Sequence, residues 1–194
     1  MTRAAKIDLP TRIMKEAERV VIAEGYEGIN MRRLASKVGV SATAIYHYFE
    51  SKEAILRKLR IGAAERLNDR IRAIDAGLSP DEFLGELGQQ YLAFARENPN
   101  LYRLLTEAPF DERAEAEDHP VLYFTYLAAR GALEKMTARG LPVPNPRHGA
   151  MMGWMMLHGF CSLMLSGMLP PAEGMTRESL QELFMSYYVH GPQV

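Results

Sequence analysis

Residues 30–52 read Asn30-Met-Arg-Arg-Leu-Ala-Ser-Lys-Val-Gly39-Val-Ser41-Ala-Thr-Ala-Ile-Tyr46-His-Tyr-Phe-Glu-Ser-Lys52, and their spacing decides the fold. Leu34 and Val38 are four apart and share one face of a helix, with Asn30 placed to cap its start. Ala35 is small enough for a second helix to cross close by. Gly39 suits the left-handed position that ends a helix, where a Cβ is disfavoured, and Val40 then plugs the corner. Ser41 can cap a second helix running to Tyr48, in which Ile45 and either Tyr48 or Phe49 point back to the core. Ala42, Thr43, Tyr46 and His47 are left on or near the outer face. Two short helices around a glycine turn make a helix-turn-helix. The bare periodicity also fits an ordinary helical hairpin, so the surroundings have to separate the two.

Upstream, Thr11 to Glu24 places Ile13, Ala17, Val20 and Val21 on one face and ends at Gly25. With Tyr26, Ile29 and Met31 as a bridge, this helix completes a three-helix unit of roughly fifty residues. Downstream, a helix starting near Ser51 and running to about Ala76 carries Ile55, Leu59, Ala63, Leu67, Ile71 and Ile74 at helical spacing. Gly77-Leu-Ser-Pro80 breaks it. Further helices are expected over Asp81–Glu97, Leu101–Glu107 and Pro120–Arg139, with the acidic run Asp111–Asp118 as a solvated loop or exposed turn. Leu141-Pro-Val-Pro-Asn-Pro146 reads as a stiff connector.

From Gly149 to Ala172 there is no Asp, Glu, Lys or Arg. The run is long enough to span a bilayer, but His158 near its middle, its glycines and Pro170-Pro171 favour a helix buried on several sides, and no membrane partner is expected. A final helix, Thr176 to Tyr188, presents Leu180, Leu183, Phe184, Tyr187 and Tyr188. These last two apolar helices could bury themselves against a second copy. The expectation is an all-α chain of about nine helices, divided into a helix-turn-helix domain over 1–56 and a helical effector-binding and dimerisation domain over 57–194.

Charge separates the same two parts. Residues 1–60 hold 12 Lys and Arg against 7 Asp and Glu, whereas residues 61–194 hold 11 against 17, although the whole chain sums to −1. Positive charge thus gathers where a phosphate-binding footprint would need it. Hydrophobic residues at 47% and charged residues at 24% suit a packed globular protein. A single cysteine, Cys161, excludes an intrachain disulfide and points to a reducing compartment. The start Met1-Thr-Arg-Ala-Ala-Lys6 precedes no apolar segment, so no secretory leader and a cytoplasmic location are expected. His47, His119, His148, His158, His190 and Cys161 fall into no metal-ligand spacing, and no nucleophile-base set or phosphate-cradling glycine loop is present. Neither an enzyme nor a cofactor is expected.

Three stretches carry a family resemblance: Ala23-Glu-Gly-Tyr-Glu-Gly-Ile-Asn-Met-Arg-Arg-Leu-Ala35, Val38-Gly-Val-Ser41 and Ala44-Ile-Tyr-His-Tyr-Phe-Glu-Ser-Lys-Glu-Ala-Ile-Leu56. Over roughly residues 10–58 the chain resembles the tetracycline-repressor-like (TetR) transcriptional regulators. Tyr91-Leu-Ala-Phe-Ala-Arg-Glu-Asn-Pro-Asn-Leu-Tyr-Arg-Leu-Leu105 and Trp154-Met-Met-Leu-His-Gly159 look like a C-terminal subclass named for its Trp-His-Gly residues. The resemblance implies an all-helical homodimer joined by its last two long helices, an effector pocket among the intermediate ones, and double-stranded DNA as partner.

Carried over residue by residue, the resemblance puts the Ser41–Tyr48 helix in the major groove. Ala42, Thr43 and Ala44 then approach base edges, Tyr46, His47 and Tyr48 reach phosphates or bases, Arg32 contacts a phosphate or base, and Lys52 contacts a phosphate. Tyr48 can equally serve the core. Tyr91, Phe94, Tyr102, Phe110, Tyr123, Phe124, Trp154 and His158 are candidates for the pocket around a small apolar effector, although such aromatics are also core material. For His158 a structural hydrogen bond is the first reading and a pocket contact the second. The expected function is a dimeric repressor released from a pseudo-palindromic operator by that effector. The alternative is a small-molecule-binding helical module without sequence-specific DNA binding.

Overall fold

The computed structural model describes residues 8–109, 116–143, 145–169 and 174–190. Among these the chain forms ten α-helices and no strand: α1 (Leu9–Glu24), α2 (Met31–Val38), α3 (Ala42–Tyr46), α4 (Lys52–Arg72), α5 (Pro80–Glu97), α6 (Pro99–Thr106), α7 (His119–Leu122), α8 (Phe124–Ala138), α9 (Pro146–Ser166) and α10 (Arg177–His190). Single 3₁₀ turns lie at Tyr26–Gly28 and Ala116–Asp118. The all-α class expected from the sequence is the class found.

Two compact units divide the chain, one comprising Met1–Ala64 with Asn98–Asp118, the other Glu65–Glu97 with His119–Val194. The division falls inside α4, so that helix belongs to both.

In the first unit, α1 buries Ile13, Ala17, Val20 and Val21, the stripe the sequence spacing predicts. Removing each of the Ile and Val side chains from water contributes about 1.5–3 kcal/mol, and the Ala17 methyl about 0.8 kcal/mol. Against α1 pack α2 and, from the distant stretch 98–106, α6. The Asn100 amide donates to the Ile22 carbonyl at the end of α1 (2.9 Å). Arg60, on α4 and only 2% exposed, donates to the carbonyls of Leu104 (3.4 Å), Ala108 (3.1 Å) and Pro109 (2.6 Å). A guanidinium has the donors to satisfy several carbonyls that end a helix without partners, and its charge suits the negative end of α6.

In the second unit α5, α8, α9 and α10 pack on one another. Ser79 and Glu82 form a reciprocal box at the start of α5: the Ser79 amide donates to Glu82 Oε2 (2.9 Å), and the Glu82 amide to Ser79 Oγ (3.4 Å). Asn145 accepts from the amides of Arg147 and His148 and starts α9, and Thr176 accepts from the Ser179 amide to start α10. Close approach of α10 to α5 depends on Gly88, where a Cβ would stand 2.7 Å from Met185 Cε and 3.0 Å from Tyr188 Cε1. Burial pushes the Tyr188 phenol up to about 12.

Three boundaries differ from expectation. The helix read as Pro120–Arg139 is broken at Tyr123 into α7 and α8. Asn68 donates to the Val121 carbonyl (2.9 Å), the acceptor that an uninterrupted helix would offer to the Thr125 amide, and this competition accounts for the break. The connecting helix stops at Arg72 rather than Ala76, its last turn tightening into an Ile74-to-Ile71 hydrogen bond of 3.2 Å. The helix does not run the length of the charge-free stretch, because Gly167 takes a left-handed conformation (φ 73°) and ends α9 at Ser166.

Nor is α9 buried on several sides. Ala150, Leu157, Phe160 and Cys161 face the core, while Met151, Met152, Met155, Met156 and Leu163 are exposed. Among the described residues no helix is long and apolar enough to cross a membrane.

Candidate nucleic-acid interface and ligand cavity

The helix-turn-helix is built from local hydrogen bonds. Asn30 accepts from the Arg33 amide (3.1 Å) to start α2, which buries Met31, Leu34, Ala35 and Val38. Gly39 ends it at φ 77°, ψ 38°, with the Val40 amide reaching back to the Ala35 carbonyl (3.0 Å). A Cβ at Gly39 would meet nothing within 4 Å, so the position demands glycine through its backbone angle alone. From α1, the Arg12 guanidinium donates to the Val38 carbonyl (2.7 Å) at the end of α2. Ser41 then caps α3 by accepting from the Ala44 amide (3.2 Å).

Although α3 is only five residues long, the amides of His47 and Phe49 continue its turn onto the carbonyls of Thr43 (3.2 Å) and Ile45 (3.0 Å). Ile45 is fully buried and Phe49 is 4% exposed, whereas Tyr48 is 53% exposed. Phe49 therefore enters the core and Tyr48 turns outward. Thr43, Tyr46, His47 and Tyr48 are all exposed, and Ala42 and Ala44 are half-buried beside them.

The cations around this face are not equivalent. Arg33 is paired with Glu24 in a two-pronged contact, and the guanidinium holds that carboxyl below the ordinary range. Lys37 pairs with Glu16 (3.2 Å). Arg32 is exposed and has no ion-pair partner among the described residues. At the start of α4, Ser51 caps the helix through the Ala54 amide (3.1 Å), and Lys52 Nζ donates to the Glu27 carbonyl (3.3 Å). That contact leaves the ammonium two further donors. A groove of about 770 Å³ adjoins α3, lined by residues 46–51 and the first turns of α4.

In the second unit a cavity of about 530 Å³ is lined by His119 and Pro120 of α7, Tyr123, Tyr126 and Leu127 at and within the start of α8, and Met151 and Trp154 of α9. The rings of His119 and Tyr123 meet edge to face at 5.2 Å, and Trp154 stacks along its own helix on His158 with centroids 6.3 Å apart.

Of the aromatic residues expected around a pocket, the structure brings Tyr123 and Trp154 together in this cavity, with His158 behind Trp154. Tyr91 and Phe94 are buried on α5, and Phe124 lies under the Arg72 guanidinium at 4.6 Å. Tyr102 is buried on α6 in the first unit. Phe110 falls outside the described residues. The lining residues that the sequence reading missed are His119, Pro120, Tyr126, Leu127 and Met151. Their signal was helical spacing, since His119, Tyr123 and Tyr126–Leu127 succeed one another at intervals of three and four, and Met151 and Trp154 are three apart.

Two family descriptions match the chain: residues 13–59 match the bacterial regulatory proteins of the tetR family, and residues 84–186 match the tetracyclin repressor-like C-terminal domain. The chain belongs to the tetR family. It is a DNA-binding transcriptional regulator, and the first match covers the helix-turn-helix from within α1 to within α4.

Among relatives, an uncharacterized HTH-type transcriptional regulator of Mycobacterium tuberculosis is 23% identical over 169 residues, covering 87% of this chain and 75% of that protein. The nucleoid occlusion factor SlmA of Mannheimia succiniciproducens is 31% identical over 139 residues, 64% of this chain and 62% of its own length. The matched part thus spans less than two-thirds of that factor. The crystal structure of AibR in complex with isovaleryl coenzyme A and operator DNA shares the fold, with a TM-score of 0.68 at 17% identity over 93% of this chain and 97% of that one.

Proposed function

We propose that the protein is a homodimeric repressor that occupies a pseudo-palindromic operator and is released from it by a small apolar effector. The observation that carries the DNA-reading half is the outward cluster of Thr43, Tyr46, His47 and Tyr48 on a short helix capped by Ser41 and anchored by Ile45, beside Arg32 and Lys52. In this reading residues 1–56 bind DNA, and residues 57–194 bind effector and partner.

Thr43 offers a hydroxyl and a methyl to base edges, and Ala42 and Ala44 offer apolar contact only, for example to thymine. Tyr46, His47, Tyr48, Arg32 and Lys52 serve chiefly the phosphates and fix the register. With so few long donors at the base edges, DNA shape and half-site spacing carry much of the discrimination. Two recognition helices about 34–36 Å apart would address half-sites one helical turn apart.

A dimer is supported by the exposed apolar side chains of α9 and α10, among them Met152, Met156, Leu163, Leu183 and Tyr187. Burying them against a second copy removes an apolar surface that a monomer would leave in water. The cavity beside Trp154 supports an effector. Such a ligand releases DNA only by binding the arrangement unfit for the operator better than the fit one, and α4, which runs from Lys52 into the second unit, is the element whose tilt would link the two equilibria.

Fluorescence anisotropy on an inverted repeat from the DNA flanking the gene, against a random duplex, tests the reading across a salt series. Tighter, salt-sensitive binding to the repeat is expected. Equal affinity for both duplexes at every salt concentration would leave the small-molecule module without sequence-specific DNA binding as the better description.

A further inference from the structure

The cavity beside Trp154 also constrains what enters it. Its described lining consists of one histidine, one proline, two tyrosines, one leucine, one methionine and one tryptophan, and none of these carries a fixed charge. Tyr123, Leu127 and Met151 are partly exposed, so the cavity is reached from solvent. About 530 Å³ is the volume of a small-molecule site.

The direction of the cavity separates it from the surface assigned to a second copy. At about 100° per residue around α9, Met152, Met156 and Leu163 cluster on one side, and Met151 and Trp154 are centred roughly 150° away from them. A partner helix seated on the former stripe leaves the latter pair to another occupant.

We propose that this cavity takes an uncharged, ring-bearing small molecule, packed against the Trp154 indole between Tyr123–Leu127 and Met151, and discriminates against carboxylates and coenzyme A thioesters. The inference rests on the effector reading above and narrows its chemistry. Flat apolar rings gain most from a wall made of aromatic faces and edges together with a methionine thioether. A carboxylate or phosphate drawn into the same wall loses its hydration and meets no fixed cation among the described lining residues in return. The phenols of Tyr123 and Tyr126 and the His119 imidazole provide polar atoms suited to a hydroxyl, carbonyl or ether on the ligand.

Trp154 is the only tryptophan of the chain, so its fluorescence reports this wall alone. The full-length protein would be titrated with para-nitrotoluene, its charged counterpart para-nitrobenzoate, and isovaleryl coenzyme A, following indole quenching and, in parallel, calorimetric heat. Saturable quenching with matching heat is expected for the neutral ring, with the two anions at least about tenfold weaker. Met151→Glu, a change at a partly exposed position, should abolish para-nitrotoluene binding without shifting the melting temperature of the protein by more than about 2 °C.

If either anion saturates within tenfold of the neutral ring, the proposed class is wrong while the cavity remains an effector site. If none of the three gives a saturable signal by either method, the class and the effector reading of this cavity fall together. Unchanged para-nitrotoluene affinity in a folded Met151→Glu protein would place the ligand elsewhere and overturn the proposal.

Discussion

The unit that carries α1–α3 and the unit that carries α8–α10 dispose of their side chains in opposite ways. In the first, Arg12, Arg33, Lys37 and Arg60 are all engaged by carbonyls or carboxylates of neighbouring elements, and the apolar residues of α2 and α3 that could be buried are buried. Its outer face is left with short polar and aromatic groups around Thr43. In the second, methionines, leucines and tyrosines of α9 and α10 stand in solvent, and an uncharged cavity opens beside them. A face complementary to phosphate has to be polar and fixed, because weak contacts add up only when their spacing is held. A face complementary to another apolar surface has only to be apolar and accessible, and methionine adapts its shape to what arrives. The difference in construction thus matches the difference in partner proposed for the two units.

Arg60 is the buried cation that the first unit uses as internal structure, and its loss should be felt most. Arg60→Ala leaves the buried carbonyls of Leu104 and Ala108, and the part-buried one of Pro109, with one donor group fewer, and a loss of about 3 kcal/mol is expected in urea unfolding. Arg60→Lys restores the charge but not the forked donors and should recover only part of it. A loss under about 1 kcal/mol for Arg60→Ala would show that water replaces the guanidinium and that the unit is less tightly built than argued.

In the second unit the corresponding change is at the surface. Met156→Arg with Leu163→Arg should preserve the helical circular dichroism while converting the proposed dimer to monomer by light scattering. Losing the second half-site should then weaken operator binding by roughly 100-fold or more. A dimer that survives both substitutions would move the interface away from this stripe. Gly88→Ala probes the interior of the same unit. The added methyl meets Met185 and Tyr188, and about 1–3 kcal/mol should be lost to overpacking. The flexible Met185 sulfur arm can move aside, so the cost should fall towards the lower end, and calorimetry would read it.

How far each unit could be read from the sequence follows from the same contrast. The cap at Asn30, the left-handed Gly39 and the buried Ile45 are decisions made within a few residues, and the sequence spacing contained them. The choice between Tyr48 and Phe49 was not so local, because it depends on how the chain turns after α3 ends. The cavity was harder still. Tyr91, Phe94, Tyr123 and Trp154 are similar residues on helices that are apolar around much of their circumference, and composition does not say which side faces a void. Tyr102 illustrates the limit, since α6 packs on α1, a partner nearly eighty residues away, and that pairing has no local signature. Tyr126 and Leu127 had the right spacing from Tyr123, but the same spacing describes any core helix.

The remaining substitutions bear on the DNA-reading face itself. In the proposed complex Thr43→Ala removes a hydroxyl and a methyl from the base edges, so it should change which operator variants bind well, by about 1–3 kcal/mol at the affected position, with little change on random DNA. Lys52→Ala should do the reverse, because an ammonium on a phosphate carries no sequence information. Its affinity loss should be severalfold and uniform across sequences, and the slope of log affinity against log salt should flatten by about one for each phosphate contact removed, or about two for a dimer. Lys52 already donates to the Glu27 carbonyl, which holds its ammonium in place before DNA arrives and reduces the entropy lost on contact. The same experiment can therefore separate tether from charge. If Lys52→Arg keeps the salt slope but loses affinity, the contribution of Lys52 lies in the tether to Glu27 as well as in its charge. If Lys52→Ala leaves the slope unchanged, the phosphate contact is made by another cation, and Arg32 is the next to replace.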